Sequence, residues 1–205
     1  MHYKLTEEII LLSNSKYWDS AKLEWFFRLT YISEEQQRCL CGHFPIREIC
    51  VIKNSKNGNE AEVGNCCVNK FLDIDDANKI LTSVKRVKED NSKTMSKEAL
   101  EYLFKNNAIN DFEYKFYLSL GKKRNLSSKQ LVIKERINDK LSSFTSYELN
   151  SSFNKINKVL QWAESNPSFD ISFVKSLKES CTRKGKLTEK QNAALNSIIN
   201  KWKIE

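Results

Sequence analysis

Apolar positions recur at helical spacing along most of the chain, and at strand spacing in one short stretch. The segment from Thr6 to about Leu12 is predicted to be a short helix, with Thr6 as N-cap and Glu7 and Glu8 in its first turn. A second predicted helix runs from Ser20 to about Tyr31 behind Asp19. In it Leu23, Phe26, Phe27 and Thr30 share one face. Trp18, Trp25, Phe26 and Phe27 are expected in the core rather than on a base-stacking platform. Ser33-Glu34-Glu35-Gln36 has the form of a helix capping box. The stretch from Pro45 to Lys53 breaks the helical pattern. Ile46, Ile49, Cys50, Val51 and Ile52 are β-type residues in a run of strand length. Asn57-Gly58 is a hairpin-turn signal, and Glu60 to Val63 is the expected returning strand.

Further helices are predicted from Asn65 through Phe71, from Asp73 or Asp75 through Val87, and from Lys97 to about Asn106 behind Ser96. Glu89 to Lys93 reads as loop. Ser152 to about Ser165 is another helix, ended by Asn166-Pro167. Two stretches of the C-terminal half match each other. Phe112, Leu126-Ser127, Lys129-Gln130, Ile137 and Lys140 recur, without a gap, 61 positions later as Phe173, Leu187-Thr188, Lys190-Gln191, Ile198 and Lys201. Each copy reads as helix, basic turn, helix. Ser127 with Gln130 and Thr188 with Gln191 form capping boxes at the second helix.

Composition narrows the class. The chain has 205 residues, of which 40% are hydrophobic and 11% aromatic, which is too apolar for a disordered protein. No apolar run approaches the roughly 18 residues of a membrane span. The N-terminal residues lack a signal-peptide layout, so the expected setting is cytoplasmic. The net charge is +8, yet residues up to Asp111 sum to −1 and those from Phe112 onward to +9. A polyanionic partner is the functional expectation, against a merely Lys-rich solvated surface.

Five of the six cysteines fall between Cys39 and Cys67. Clustered cysteines in a chain without an export signal point to metal rather than to disulfides. The order is a thiol knuckle (Cys39-Leu40-Cys41-Gly42-His43), a hairpin, then Cys66 and Cys67 at a helix start. That order suits Zn²⁺, which takes four sulfur or nitrogen ligands. Gly42 relieves crowding in the knuckle, and the helix N-terminus favours thiolate. Cys39, Cys41 and Cys67 are three candidate ligands. The fourth is His43, Cys66 or Cys50. Cys50 also reads as a small buried hydrophobe, and Cys181, which aligns with Leu120 of the other repeat, as core.

The stretch Cys39-x-Cys41-Gly42, Ile46, Asn57-Gly58, Val63-Gly64-x-x-Cys67, Lys70 and Phe71 resembles treble-clef-like zinc-finger modules of bacterial and phage proteins. The tandem helical element is similar to repeats attached to such proteins. The resemblance implies a metal site and nucleic-acid work and brings no enzymatic activity with it. The knuckle here is C-x-C where such modules use C-x-x-C.

Catalytic signatures are missing. The chain has no His-Glu-x-x-His, no deaminase pattern and no Gly-rich phosphate loop, and its only histidines are His2 and His43. Asp73, Asp75 and Asp76 read as helix N-cap chemistry. A second candidate site comprises the two basic turns, Lys122, Lys123, Arg124 and Lys129 in one and Arg183, Lys184, Lys186 and Lys190 in the other. At a helix start such turns suit phosphate.

The expected fold is mainly α with one small β-hairpin, α+β overall. It comprises N-terminal helices (1–38), a zinc module (39–72), connecting helices (73–110) and a repeat region (111–205, with repeats at 111–140 and 172–201). The expected function is that of a non-enzymatic, zinc-containing nucleic-acid-binding protein. The alternative is an adaptor that binds a host protein, with zinc purely structural. Neither a membrane nor a small-molecule substrate is expected.

Overall fold

The β-type run around Ile49 does form a strand, and it acquires a neighbour that the helical reading of residues 20–31 does not provide. The computed structural model of the chain describes residues 3–72, 76–121 and 125–204, without the side chains of 70–72 and 76. It divides into two compact units, Met1–Lys85 and Arg86–Glu205.

In the first unit, helices α1 (Tyr3–Leu12) and α2 (Trp18–Ala21) and a 3₁₀ turn (Lys22–Glu24) lead into β1 (Trp25–Gln37). Strands β2 (Ile46–Asn54) and β3 (Glu60–Gly64) complete an antiparallel sheet of order β1-β2-β3. Helix α3 (Asn65–Leu72) continues directly from β3, and α4 spans Asp76–Glu89. The predicted helix from Ser20 to Tyr31 is therefore corrected. Leu23 and Phe26, assigned to its buried face, are exposed, whereas Trp25, Leu29, Thr30 and Tyr31 are buried. Residues 25–32 are aromatic or β-branched in six of eight places. Pairing of Thr30 with Cys50 and of Tyr31 with Ile49 on β2 outweighs the helical spacing of four apolar positions. Ser33-Glu34-Glu35-Gln36 likewise caps nothing. It lies in β1, where Gln37 Nε2 donates to Ser33 Oγ at 3.1 Å.

The middle of β2, Ile49 to Ile52, is buried on both faces. Leu5 and Ile9 of α1, Trp25, Ile52, Val63, Val68 and Leu81 join in one apolar cluster there. The hairpin turn forms as its sequence specifies. Asn54 Oδ1 accepts from the amides of Lys56 and Asn57, and Gly58 takes a φ of +76° that its lack of a Cβ permits. Helix α1 begins at Tyr3, one turn ahead of the predicted Thr6 cap. Asp73 and Asp75 lie outside the described residues.

The second unit is helical. It contains α5 (Lys97–Lys105), α6 (Asp111–Leu120), α7 (Ser128–Phe144), α8 (Tyr147–Glu164), α9 (Ser172–Lys184) and α10 (Glu189–Trp202). The Ser127–Gln130 and Thr188–Gln191 capping boxes are both formed, and each repeat contains two helices, α6 and α7 in one and α9 and α10 in the other. Cys181 and its counterpart Leu120 are both buried, as expected of core positions. Helix α8 starts five residues before the predicted Ser152, behind Ser146, whose Oγ accepts from the Leu149 amide. Asn138 of α7 donates to the carbonyls of Asn91 and Lys93 and accepts from the Tyr117 hydroxyl, which ties the 90–95 loop to the helices.

Glu113 joins the two helices of the first repeat. Its side chain, 5% exposed, caps α6 with Asn110 and takes both carboxylate oxygens to Lys140 Nζ at 2.8 Å. Burial pushes this carboxyl up. The Lys140 and Asn110 hydrogen bonds and the charges of Lys140 and Arg136 outweigh burial and hold it below its ordinary value. The stability it contributes is therefore present above the ordinary carboxylate pKa and lost as pH falls through the lowered one. Lys140→Met is expected to cost about 2 kcal/mol at pH 7, less than a fully buried pair because Lys140 is partly solvated and Arg136 remains. Urea unfolding of both proteins checks this. The deficit should shrink in acid, and an equal deficit at pH 3 and pH 7 contradicts it.

Candidate metal centre and basic surface

Between β1 and β2 the backbone turns back on itself at Cys39–Gly42. The Gly42 amide donates to the Cys39 carbonyl at 2.7 Å, and the Cys39 amide donates to the His43 carbonyl at 3.0 Å. Gly42 has φ +88°, a left-handed conformation that favours glycine. The Leu40 amide donates to the Glu62 carbonyl of β3, which lays the knuckle against that strand. β3 then runs through Gly64 straight into α3 and puts Cys67 in the first helical turn. The Gly64 amide donates to Cys39 Sγ at 3.2 Å. A Cβ on Gly64 would stand 3.9 Å from that sulfur and 3.5 Å from Ile46 Cγ2.

The consequence is convergence. The sulfurs of Cys39, Cys41 and Cys67 all lie within 4.8 Å of one another, and all three residues are buried. All six cysteines are free thiols. Hydrogen bonding from the Cys67 thiol, against the cost of burial and with help from the Gly64 and Cys41 amides, brings Cys39 down to about 5. Cys67, as the donor, is pushed up. Three buried sulfurs at this spacing can hold a metal ion.

A pocket of about 480 Å³ opens over the sulfurs, lined among others by His43, Ile46, Arg47, Glu48, Asn65 and Cys66. His43 and Cys66 are exposed at its mouth, and their donor atoms are not part of the close group. Cys50 is elsewhere. It is wholly buried in β2 beside Thr30 Oγ1 at 3.7 Å, and burial pushes its thiol up to about 12. Sequence spacing brings out the three thiols. It does not bring out the Gly64 amide on Cys39, or Glu48, which Asn65 Nδ2 (2.7 Å) and Lys85 engage at the pocket wall. The Lys70 and Phe71 side chains lie outside the described residues.

Of the basic candidates, Lys122, Lys123 and Arg124 lie outside the described residues. Lys129 and Lys190 occupy equivalent first turns of α7 and α10, both exposed. Arg183 and Lys184 do not sit at a helix start. They close the last turn of α9, where cations complement the helix dipole, and Lys186 follows in the turn. All five described residues are exposed, and none has a carboxylate partner among the described residues. Arg183 and Lys184 share a cleft of about 260 Å³ with Arg136 and Lys140 of α7. The contribution of α7 depends on tertiary packing and was missed in the sequence, although Lys140 is one of its repeat anchors.

Among the described residues no helix is long and apolar enough to cross a membrane. No protein-family model, curated protein or solved structure matches the chain.

Metal uptake should separate the cysteines. Cys67→Ser is expected to lower affinity by more than about 100-fold, beyond the loss of an outer hydrogen-bond partner. Cys50→Ala should leave the stoichiometry unchanged. Equal losses in both variants, read by metal titration of the purified proteins, contradict the assignment.

Proposed function

We propose that the chain is a non-enzymatic, zinc-containing protein that binds nucleic acid, of the bacterial and phage zinc-finger kind. Cys39, Cys41 and Cys67 supply the thiolates for zinc. A set of buried thiols suits this borderline-soft, redox-inactive ion, and it joins knuckle, strand and helix at one point. Binding at such a point is folding free energy for the first unit. The unbridged thiols favour a reducing, cytoplasmic setting.

The observation that carries the nucleic-acid reading is the confinement of charge. The unit Arg86–Glu205 holds 23 Lys and Arg against 14 Asp and Glu, hence +9, while the other unit sums to −1. Lys129, Lys186, Lys190, Arg183 and Lys184, with Lys122, Lys123 and Arg124, supply backbone contacts to phosphates. Lys and Arg on turns position a protein on nucleic acid and read little base sequence. A second reading, the protein-binding adaptor with structural zinc, is favoured by Leu11, Tyr17 and Leu23, each more than 70% exposed on the first unit.

Reversing charge at Lys122, Lys123, Arg183 and Lys184 together distinguishes the two. Affinity for a mixed-sequence oligonucleotide at low salt should fall at least tenfold, and the slope of log K against log salt should flatten by about 3. The fold should survive with a melting temperature lowered by only a few degrees, because Arg183 and Lys184 are exposed and give up only their complement to the α9 dipole. Undiminished affinity in the variant, or no binding by the parent, favours the adaptor.

A further inference from the structure

We propose that the fourth coordination position at the thiol trio is open, and that it takes a small exchangeable ligand from the pocket, water or a monodentate anion. This rests on the zinc reading of the same site. Three features of the geometry lead to it.

The first is the donor set. Among the described residues the close group holds three sulfurs and no fourth donor, although His43 and Cys66 both line the pocket. His43 is anchored to the knuckle through its carbonyl, which accepts from Cys39, while the residue itself stands exposed. Cys66 neighbours Cys67 on α3, where successive side chains diverge by about 100°, so burial of the Cys67 sulfur turns Cys66 outward. Glu48 faces the same pocket, but Asn65 and Lys85 hold its carboxylate.

The second feature is direction. The trio is closed from behind. Cys39, Cys41 and Cys67 pack into the cluster of Leu5, Val63 and Val68, and the Gly64 amide covers Cys39. An ion bound tetrahedrally to three sulfurs seated in that wall directs its fourth vertex at the pocket. The roughly 480 Å³ there far exceeds the space one solvent molecule needs, about 30 Å³.

The third feature is charge. Three thiolates and a divalent cation sum to −1. Arg47, exposed at the pocket and without a carboxylate partner among the described residues, offsets that charge and favours an anionic fourth ligand.

Cobalt(II) loaded into the full-length chain reports its coordination through visible absorption. Azide titrated into this protein should shift the bands saturably and reversibly. The His43→Ala/Cys66→Ser double variant should show the parent spectrum before azide is added. A spectrum indifferent to azide overturns the open position. So does a double variant with altered bands or a weakened thiolate charge-transfer band, since the fourth ligand would then be one of those residues. A chain that takes up neither cobalt nor zinc develops no bands at all, which overturns the metal reading itself and this inference with it.

Discussion

Three buried thiols meet where the knuckle after β1, the end of β3 and the first turn of α3 come together. Burial opposes ionisation of Cys39, and only hydrogen bonds from Cys67, Gly64 and Cys41 sustain it. A divalent cation relieves this, because it neutralises thiolates in place and takes over the role of the shared proton. The surrounding backbone serves the same point. The left-handed Gly42 makes the knuckle tight, the Leu40–Glu62 hydrogen bond lays it on β3, and the Gly64 amide of that strand donates to Cys39 Sγ. The sheet, in turn, needs β1, whose pairing with β2 fixes where the knuckle begins.

The second unit has a different logic. Its helices are joined by local capping chemistry and by buried polar anchors, Glu113 with Lys140 and Asn138 with the 90–95 loop. These consume their charges and hydrogen-bonding groups internally. Among the described residues, Lys129, Arg183, Lys184, Lys186 and Lys190 stay exposed without a carboxylate partner. Lys140 and Arg136 belong to both settings, since they pair with Glu113 and also line the cleft beside Arg183 and Lys184.

What could be read from the sequence follows the range of the interactions involved. The Asn57-Gly58 turn, the Ser96, Ser127 and Thr188 caps and the β-character of residues 46–52 depend on neighbours a few positions away, and all of them form. The cysteine order also identified the trio, since knuckle, hairpin and helix start are consecutive. β1 escaped because its stability comes from pairing with residues some twenty positions on, while Leu23, Phe26, Phe27 and Thr30 imitate a helical face. The choice among Cys50, Cys66 and His43 was equally out of reach. It depends on which face of β2 carries Cys50 and which way α3 turns, and both are set by packing. The repeat revealed matching helices, but it placed Arg183 and Lys184 at a helix start when they end α9.

The central claim is that a zinc ion is held by the sulfurs of Cys39, Cys41 and Cys67. X-ray absorption at the zinc edge of the purified full-length protein tests it most directly, because scattering amplitude counts sulfur neighbours. The account predicts one zinc per chain with three sulfurs at about 2.3 Å and one lighter atom at about 2.0–2.1 Å. A chain purified without zinc that cannot be loaded with it, or a zinc shell containing fewer than three sulfurs, contradicts it.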